Sequence, residues 1–106
     1  MMKTVVAPLV LSLVWAAASI AHAQDAKTIA TRSLAASCAQ CHGTDGHAVA
    51  GATVPALAGQ PAAQIVEKLK AFQRGERPST IMQQLAKGYS DAQIDALARW
   101  FAGQQP

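Results

Sequence analysis

The feature that most constrains this chain is the pentapeptide Cys38-Ala39-Gln40-Cys41-His42, which contains both of its cysteines. Two thiols separated by two residues on a helical turn can reach the two vinyl groups on one side of a porphyrin and form thioethers. The next residue, His42, is then carried under the ring, where an imidazole nitrogen can meet the iron. The pattern predicts one covalently attached c-type haem, bound through Cys38 and Cys41, with His42 as its proximal ligand.

The first 23 residues, 1–23, predict a cleaved signal peptide. Lys3 precedes an apolar run without a charge over residues 5–20, and residues 21–23 form a small-x-small cleavage site. A transmembrane anchor, which needs about 20 apolar residues, is the alternative. Cleavage leaves residues 24–106 as one mono-haem domain, and we expect it in the periplasm without stable membrane insertion.

The charge and the size of residues 24–106 further limit the classes of protein to which this chain can belong. With Lys3 removed, eight Lys and Arg residues remain against six Asp and Glu residues. Because no basic stripe is present, the sequence argues against nucleic acid as a partner. A domain this small buries proportionally little surface and often needs a disulfide, a metal or another staple. A haem would supply the missing apolar core.

Other uses of the pentapeptide fit the surrounding sequence less well. A thioredoxin-like dithiol expects a preceding strand in a βαβ setting, and no such strand pattern precedes these cysteines. A disulfide between cysteines so close in sequence would be a poor structural staple, although an exported protein permits one. Tetrahedral zinc needs four ligands, and the soft candidates are Cys38, Cys41, His42 and His47.

The apolar pattern after the leader predicts an all-α domain, because no run alternates apolar and polar residues as a strand does. Three main helices and a short helical turn are expected, over residues 25–37, 61–75, 91–102 and, for the turn, 79–88. Residues 43–59 contain frequent glycines and predict a long loop that would wrap a haem edge. The apolar side chains expected to exclude water from the ring are Ile65, Leu69, Phe72, Leu85, Leu97, Trp100 and Phe101.

Helix ends are indicated by four residues. Pro61 suits a helix start because its missing N–H would be unpaired there, and Gly75 suits a helix end in a left-handed conformation. Ser90 and Gln93 have the spacing of a capping box, which predicts the start of the last helix.

The second axial ligand has two candidates. Met82 is the one methionine after the leader, and it lies forty positions past His42 on a segment that can cross to the distal face. His47 lies only five residues after His42, which tends to keep it on the proximal side. A methionine in a small core is usually a packing residue, so that role remains open for Met82.

Pro55 is the candidate partner of the proximal imidazole. A ligating imidazole usually donates its other N–H to a carbonyl that fixes its orientation, and we expect the Pro55 carbonyl to accept from His42. The alternative is an ordinary loop proline.

At these residues the chain resembles a class I cytochrome c over essentially all of residues 24–106. Ser-Thr-Ile-Met at residues 79–82, followed by Ala-Lys-Gly-Tyr-Ser at residues 86–90, resembles the haem subunit of flavocytochrome c sulfide dehydrogenase. In that family the methionine of this stretch is the distal ligand. The resemblance implies that Met82 is the second iron ligand, within a small class I cytochrome c fold packed around one haem.

A second stretch resembles another group of cytochromes. Val-Pro-Ala-Leu-Ala-Gly-Gln at residues 54–60 resembles the domains of di-haem periplasmic cytochromes, in which the proline and the leucine line the haem pocket. The resemblance implies that role for Pro55 and Leu57. Only one attachment motif is present, so this chain is at most one such domain.

The resemblance also implies a function. The haem subunit of flavocytochrome c docks on a flavoprotein that oxidises sulfide, and takes electrons from its flavin. We therefore expect an electron carrier rather than an enzyme, with a flavoprotein subunit as its redox partner. The alternative is a freely diffusing mono-haem cytochrome c that serves a terminal oxidase or another reductase.

Overall fold

The computed structural model describes residues 22–106. Of the predicted signal peptide, residues 1–21 lie outside the described residues. Among residues 22–106, no helix is long and apolar enough to cross a bilayer. The described residues fall into two units, one ending at Ala30 and one covering Thr31–Pro106.

Every regular element within residues 22–106 is helical, which confirms the all-α prediction. The helices in chain order are α1 over residues 22–36, α2 at Ala39–His42, α3 at Ala62–Gln73, α4 at Met82–Ala86 and α5 at Asp91–Ala102. A 3-10 turn at Thr44–Gly46 follows α2 and interrupts the predicted loop near its start.

The apolar core of the second unit lies mainly between α3 and α5. Ile65 and Leu69 are four residues apart on α3, and the buried side chains of α5 recur at helical spacing, so each helix presents one apolar stripe to the other. Ile94 and Leu97 are fully buried, and each contributes about 2 kcal/mol of burial free energy. The buried members of the core are Ala35, Ile65, Leu69, Ala86, Ile94, Leu97, Ala98 and Phe101.

The predicted helix ends are largely present. The Ser90 hydroxyl accepts from the Gln93 N–H at 3.2 Å, and the Gln93 side-chain oxygen accepts from the Ser90 N–H at 2.9 Å, which completes the capping box. Pro61 stands one residue before α3 as its N-cap, and Gly75 has a φ of 72° just past its end. These contacts satisfy backbone groups that a helix end leaves unpaired.

One polar side chain joins α3 to the segment that leads into α5. The Gln73 amide nitrogen donates to the carbonyl of Ala86 at 2.8 Å and to the carbonyl of Tyr89 at 2.9 Å. The Ala86 carbonyl lies at the end of α4, a single turn of five residues, and the Tyr89 carbonyl lies just before α5. Gln73 therefore positions α4 and the start of α5 against α3.

One of the expected core residues is exposed. Leu85 lies on α4 and has 45% of its surface accessible, whereas its neighbour Ala86 is completely buried. The helix α4 is a single turn of five residues, so it can turn only one narrow face toward the core. That face carries Ala86, so Leu85 is not part of the core between the helices, and its expected role beside the ring stays a prediction.

Candidate functional site

The two cysteines and His42 are held on one helical turn. Cys38 is the N-cap of α2 and His42 is its last residue, and the His42 N–H donates to the Cys38 carbonyl at 2.9 Å. Residues three apart lie on the same face of a helix, so Cys38 and Cys41 present their sulfurs to the same side. Neither cysteine forms a disulfide.

The two thiols differ in their surroundings. Cys41 is exposed, whereas Cys38 is half-buried against the apolar core. Burial raises the pKa of the Cys38 thiol above its ordinary value of 9.0, and hydrogen bonding to Ser37 and Tyr89 offsets this only in part. The site therefore favours an uncharged sulfur, the state that a thiol and a thioether share.

His42 is buried, with 9% of its surface accessible, and its orientation is fixed by one strong contact. Its Nδ1 lies 2.7 Å from the carbonyl oxygen of Pro55, so the hydrogen bond expected between them is present. A carbonyl oxygen can only accept, so Nδ1 carries the proton. In the neutral imidazole this leaves Nε2 with its lone pair available to a metal.

The Pro55 carbonyl is positioned by the backbone of the loop. The Gly46 carbonyl accepts from the N–H of Leu57 at 2.9 Å and from the N–H of Ala58 at 3.1 Å. These two donors follow Pro55 by two and three residues, so the bonds fix the chain that carries its carbonyl. The loop is thereby folded back onto the turn that follows α2.

Two glycines make this close approach possible. Gly43 has a φ of 84° and a ψ of 160°, and a Cβ there would lie 1.9 Å from the His47 carbonyl oxygen. Gly46 has a φ of 82°, and a Cβ there would lie 2.8 Å from the Ala58 nitrogen. Only glycine adopts the first conformation without strain, so the turn after α2 depends on both residues.

Leu57 and Met82 lie against the same core as Cys38. Leu57 is half-buried in the loop, and Met82 is the half-buried first residue of α4. The Ser79 hydroxyl accepts from the Gln83 N–H at 2.9 Å, which holds the start of this helix. These positions satisfy a packing role for Met82, and its role as an iron ligand stays a prediction.

His47, the competing candidate for the second ligand, is occupied by other contacts. Its Nδ1 lies 3.1 Å from the Thr44 carbonyl oxygen and its Nε2 lies 2.6 Å from the Gln105 carbonyl oxygen. The ring is exposed, as expected of a surface histidine, but both of its nitrogens are engaged. The partner at Gln105 is 58 positions away in sequence, so no local pattern could have indicated this contact.

The residues on the turn fit a c-type haem. The donor set consists of two unpaired thiols on one face of α2 and an imidazole with one nitrogen held by a carbonyl and the other left for a metal. Among residues 22–106, no three His, Cys, Asp or Glu side chains form a group that could hold a metal ion by themselves, as the zinc alternative requires.

Comparison with known proteins shows which family and which proteins this chain resembles. The sequence matches the family model described as "Cytochrome C oxidase, cbb3-type, subunit III" over residues 25–101. A protein named "Cytochrome subunit of sulfide dehydrogenase" from Chlorobaculum tepidum is 40% identical over 68 residues, which cover 64% of this chain and 60% of that protein. A "Thiosulfate dehydrogenase electron acceptor" from Thiomonas intermedia is 39% identical over 72 residues, covering 68% of this chain and 33% of that protein.

Other relatives differ in length. "Cytochrome c-554(548)" from Halomonas halodenitrificans is 35% identical over 71 residues, covering 64% of this chain and 84% of that protein. A solved structure of cytochrome c4 from Acidithiobacillus ferrooxidans superimposes with a TM-score of 0.57 at 37% identity, covering 61% of this chain and 37% of that one. The chain thus spans less than two thirds of the sulfide and thiosulfate dehydrogenase relatives that it matches.

Proposed function

Because this chain belongs to the cytochrome c family whose model is described as cbb3-type cytochrome c oxidase subunit III, and is an electron-transfer protein, we propose that it binds one c-type haem through Cys38 and Cys41. The proposal extends to a periplasmic subunit that accepts electrons from a flavoprotein sulfide dehydrogenase. The haem assignment depends on one observation. His42 donates a hydrogen bond of 2.7 Å to the Pro55 carbonyl, beside two unpaired thiols on the same turn.

Each residue of the turn has one task in this proposal. The chemistry that a bound haem supplies is the exchange of single electrons at its iron. Cys38 and Cys41 tether the group, and Nε2 of His42 is the proximal ligand. The Pro55 carbonyl holds the proton on Nδ1, fixes the plane of the ring and makes the imidazole a stronger donor.

Met82 is the proposed distal ligand. Support comes from the resemblance at residues 79–82, from its position as the only methionine after the leader, and from its half-buried place against the core that also contacts Cys38. A thioether ligand favours the ferrous state and raises the reduction potential. Leu57 contributes apolar surface that keeps water from the site.

The partner and the location belong to the same proposal. The relative named as the cytochrome subunit of sulfide dehydrogenase supports a sulfide-oxidising partner, and the resemblance at residues 79–90 implies that this partner is a flavoprotein. The leader at residues 1–23 supports export, with residues 24–106 as the mature mono-haem domain in the periplasm.

A freely diffusing carrier is the second candidate function. Its support is the match to cytochrome c-554(548), where the aligned part of this chain covers 84% of the relative, so that relative is little longer than this domain. In this role the protein would serve a terminal oxidase or another reductase. Size exclusion of the native periplasmic extract separates the two, because a subunit elutes together with a flavin-containing protein and a free carrier elutes alone.

The haem site is tested on the purified exported protein. We expect the mass of residues 24–106 plus one haem, and a red colour that acidic acetone does not extract. In Met82→Ala we expect loss of the weak red-end absorption band that sulfur-to-iron bonding produces. Leu85→Ala, an exposed residue on the same helix, should keep the band. A bare peptide mass would overturn the haem assignment, and a retained band in Met82→Ala would overturn the distal ligand.

A further inference from the structure

The imidazole of His47 bridges two backbone carbonyls. Nδ1 lies 3.1 Å from the Thr44 oxygen and Nε2 lies 2.6 Å from the Gln105 oxygen. A neutral imidazole carries one N–H and can donate to only one of them, whereas the imidazolium donates to both. Bonds from a charged donor are also shorter and stronger than neutral ones. The protonated ring therefore makes the complete bridge.

This bridge attaches one arm of the loop to the tail, which we define as residues 103–106. At the other arm of the loop, the Gly59 N–H donates to the carbonyl of Phe101, in the last turn of α5, at 2.9 Å. The ring of Pro106 covers Gly59 so closely that a Cβ there would lie 2.6 Å from its Cγ. Both arms of the loop are thus attached to the end of α5 and the tail.

The bridge is continuous with the contact that orients His42. His47 directly follows Gly46, whose carbonyl accepts from the N–H groups of Leu57 and Ala58. Those residues fix the chain at Pro55, and the Pro55 carbonyl accepts from Nδ1 of His42. A displacement of His47 from the tail therefore moves the Gly46 carbonyl, and with it the acceptor of the proximal imidazole.

We propose that His47 is a positioning residue, which clamps the tail onto the loop and so holds the Pro55 carbonyl against His42. This inference rests on the proposed ligation of haem iron by His42. A shorter hydrogen bond from Nδ1 to the Pro55 carbonyl makes Nε2 a stronger electron donor to the iron, and this stabilises the ferric state. Loss of the clamp lengthens that bond, so the reduction potential rises.

The charged groups around the bridge are few. Asp45 lies in the turn that supplies the Thr44 carbonyl, and Arg99 is the ionisable residue in the last turn of α5. Cys41 and His42 are the titratable groups of α2. Residues 48–60 and 103–106 contain no ionisable side chain.

The test uses the haem-loaded protein with residue 47 changed. His47→Phe keeps a flat ring but has no donor, so we expect a higher reduction potential and roughly tenfold faster exchange of the Leu57 and Ala58 amide hydrogens. His47→Gln keeps a donor and should lie between this variant and the wild type.

Two further variants separate the clamp from a general loss of stability. Gln105→Ala keeps the backbone carbonyl that accepts the bond and should match the wild type. A chain ending at Gly103 lacks that carbonyl and also the Pro106 ring over Gly59, so it should raise the potential at least as much as His47→Phe. Adding His47→Phe to the shortened chain should have no further effect. If His47→Phe does not accumulate, His47→Gln and the shortened chain provide the same comparison.

The outcomes are distinguishable from those of the proposed function. A wild-type protein without covalent haem removes the premise, whatever the variants do. A haem-loaded His47→Phe protein with unchanged potential and unchanged exchange at Leu57 and Ala58 refutes the clamp and leaves the haem assignment intact.

Discussion

The α3–α5 helix pair is held by buried apolar side chains, whereas the loop over residues 43–59 is held by backbone hydrogen bonds and by glycines. In the helix pair, Ile94 and Leu97 are fully buried and make no polar contacts with their side chains. In the loop, only Gly46 and Ala58 are buried, yet the Gly46 carbonyl accepts two hydrogen bonds. The two regions therefore respond to opposite kinds of substitution.

Volume lost from a helix pair leaves a cavity, and the free-energy cost grows with that cavity. Volume added to the loop is more damaging, because backbone atoms already occupy the space that a side chain would need. The proposed haem ligand His42 is oriented by the loop through the Pro55 carbonyl, whereas Cys38 on the same turn packs against the apolar core. The turn that carries the predicted haem-binding residues therefore depends on both regions.

Gly43→Ala should have the largest effect. Its Cβ would lie 1.9 Å from a backbone oxygen, and its φ of 84° with ψ of 160° is strained for any residue with a side chain. We expect a loss above about 4 kcal/mol in the free energy of unfolding, which is most of the stability of a small domain. The measurement is the yield of haem-loaded protein from the periplasm, which should fall to background.

Gly51→Ala is the matched control for this prediction. Gly51 lies in the same loop with a φ of 79°, but a Cβ there would have nothing within 4 Å. We expect it to cost about 1 kcal/mol from the left-handed conformation alone. Equal yields for the two variants would mean that close approach of the backbone does not govern this loop.

Ile94→Ala tests the α3–α5 helix pair, which is held by apolar burial. Ile94 has none of its surface accessible, so the truncation leaves a cavity and should lower the free energy of unfolding by about 3 kcal/mol. Denaturant unfolding of the haem-loaded protein, followed by far-ultraviolet circular dichroism, gives the value. Leu85→Ala, with 45% of its surface already exposed, should cost less than about 1 kcal/mol. Similar losses for the two variants would contradict a core centred on α3 and α5.

The sequence could predict the features of the fold and the site that have local signals. The helices α3 and α5 were accessible to prediction because their apolar spacing, Pro61, Gly75 and the capping box at Ser90 are local signals. The contact between His42 and Pro55 was accessible because a ligating imidazole needs a carbonyl partner. These features depend on residues that are close together in the sequence or on a general rule of metal-ligand chemistry.

The features that the sequence did not predict depend on long-range geometry. The bridge from His47 to Gln105 and the two bonds from Gln73 to Ala86 and Tyr89 join positions that only the folded chain brings together. Leu85 has the residue type of a core position, but the brevity of α4 decides its exposure. The types of these residues and their spacing in the sequence do not indicate these contacts or this exposure.

Ser90→Ala should have an intermediate effect on the helix pair. The hydroxyl satisfies the Gln93 N–H at the start of α5, so its loss leaves that donor to water and should cost about 1 kcal/mol. The thermal midpoint of the haem-loaded protein measures this, with Ser79→Ala as a comparison at the start of the shorter α4. A greater loss at Ser79 than at Ser90 would show that α4 contributes more to stability than its five residues suggest.

Glu76→Gln should have the smallest effect, because the Arg74–Glu76 pair beyond α3 is exposed to solvent. The hydrogen bond of 2.7 Å from the Arg74 guanidinium lowers the pKa of the Glu76 carboxyl below its ordinary value of 4.5. A lowered pKa in the folded state means that the contribution to stability is present above 4.5 and is lost as the pH falls through the folded value. The difference in thermal midpoint between wild type and variant should therefore be small and constant near neutral pH, and should vanish in acid. A difference that grows as the pH falls would have the wrong sign, and would contradict a stabilising contribution from the Arg74–Glu76 ion pair.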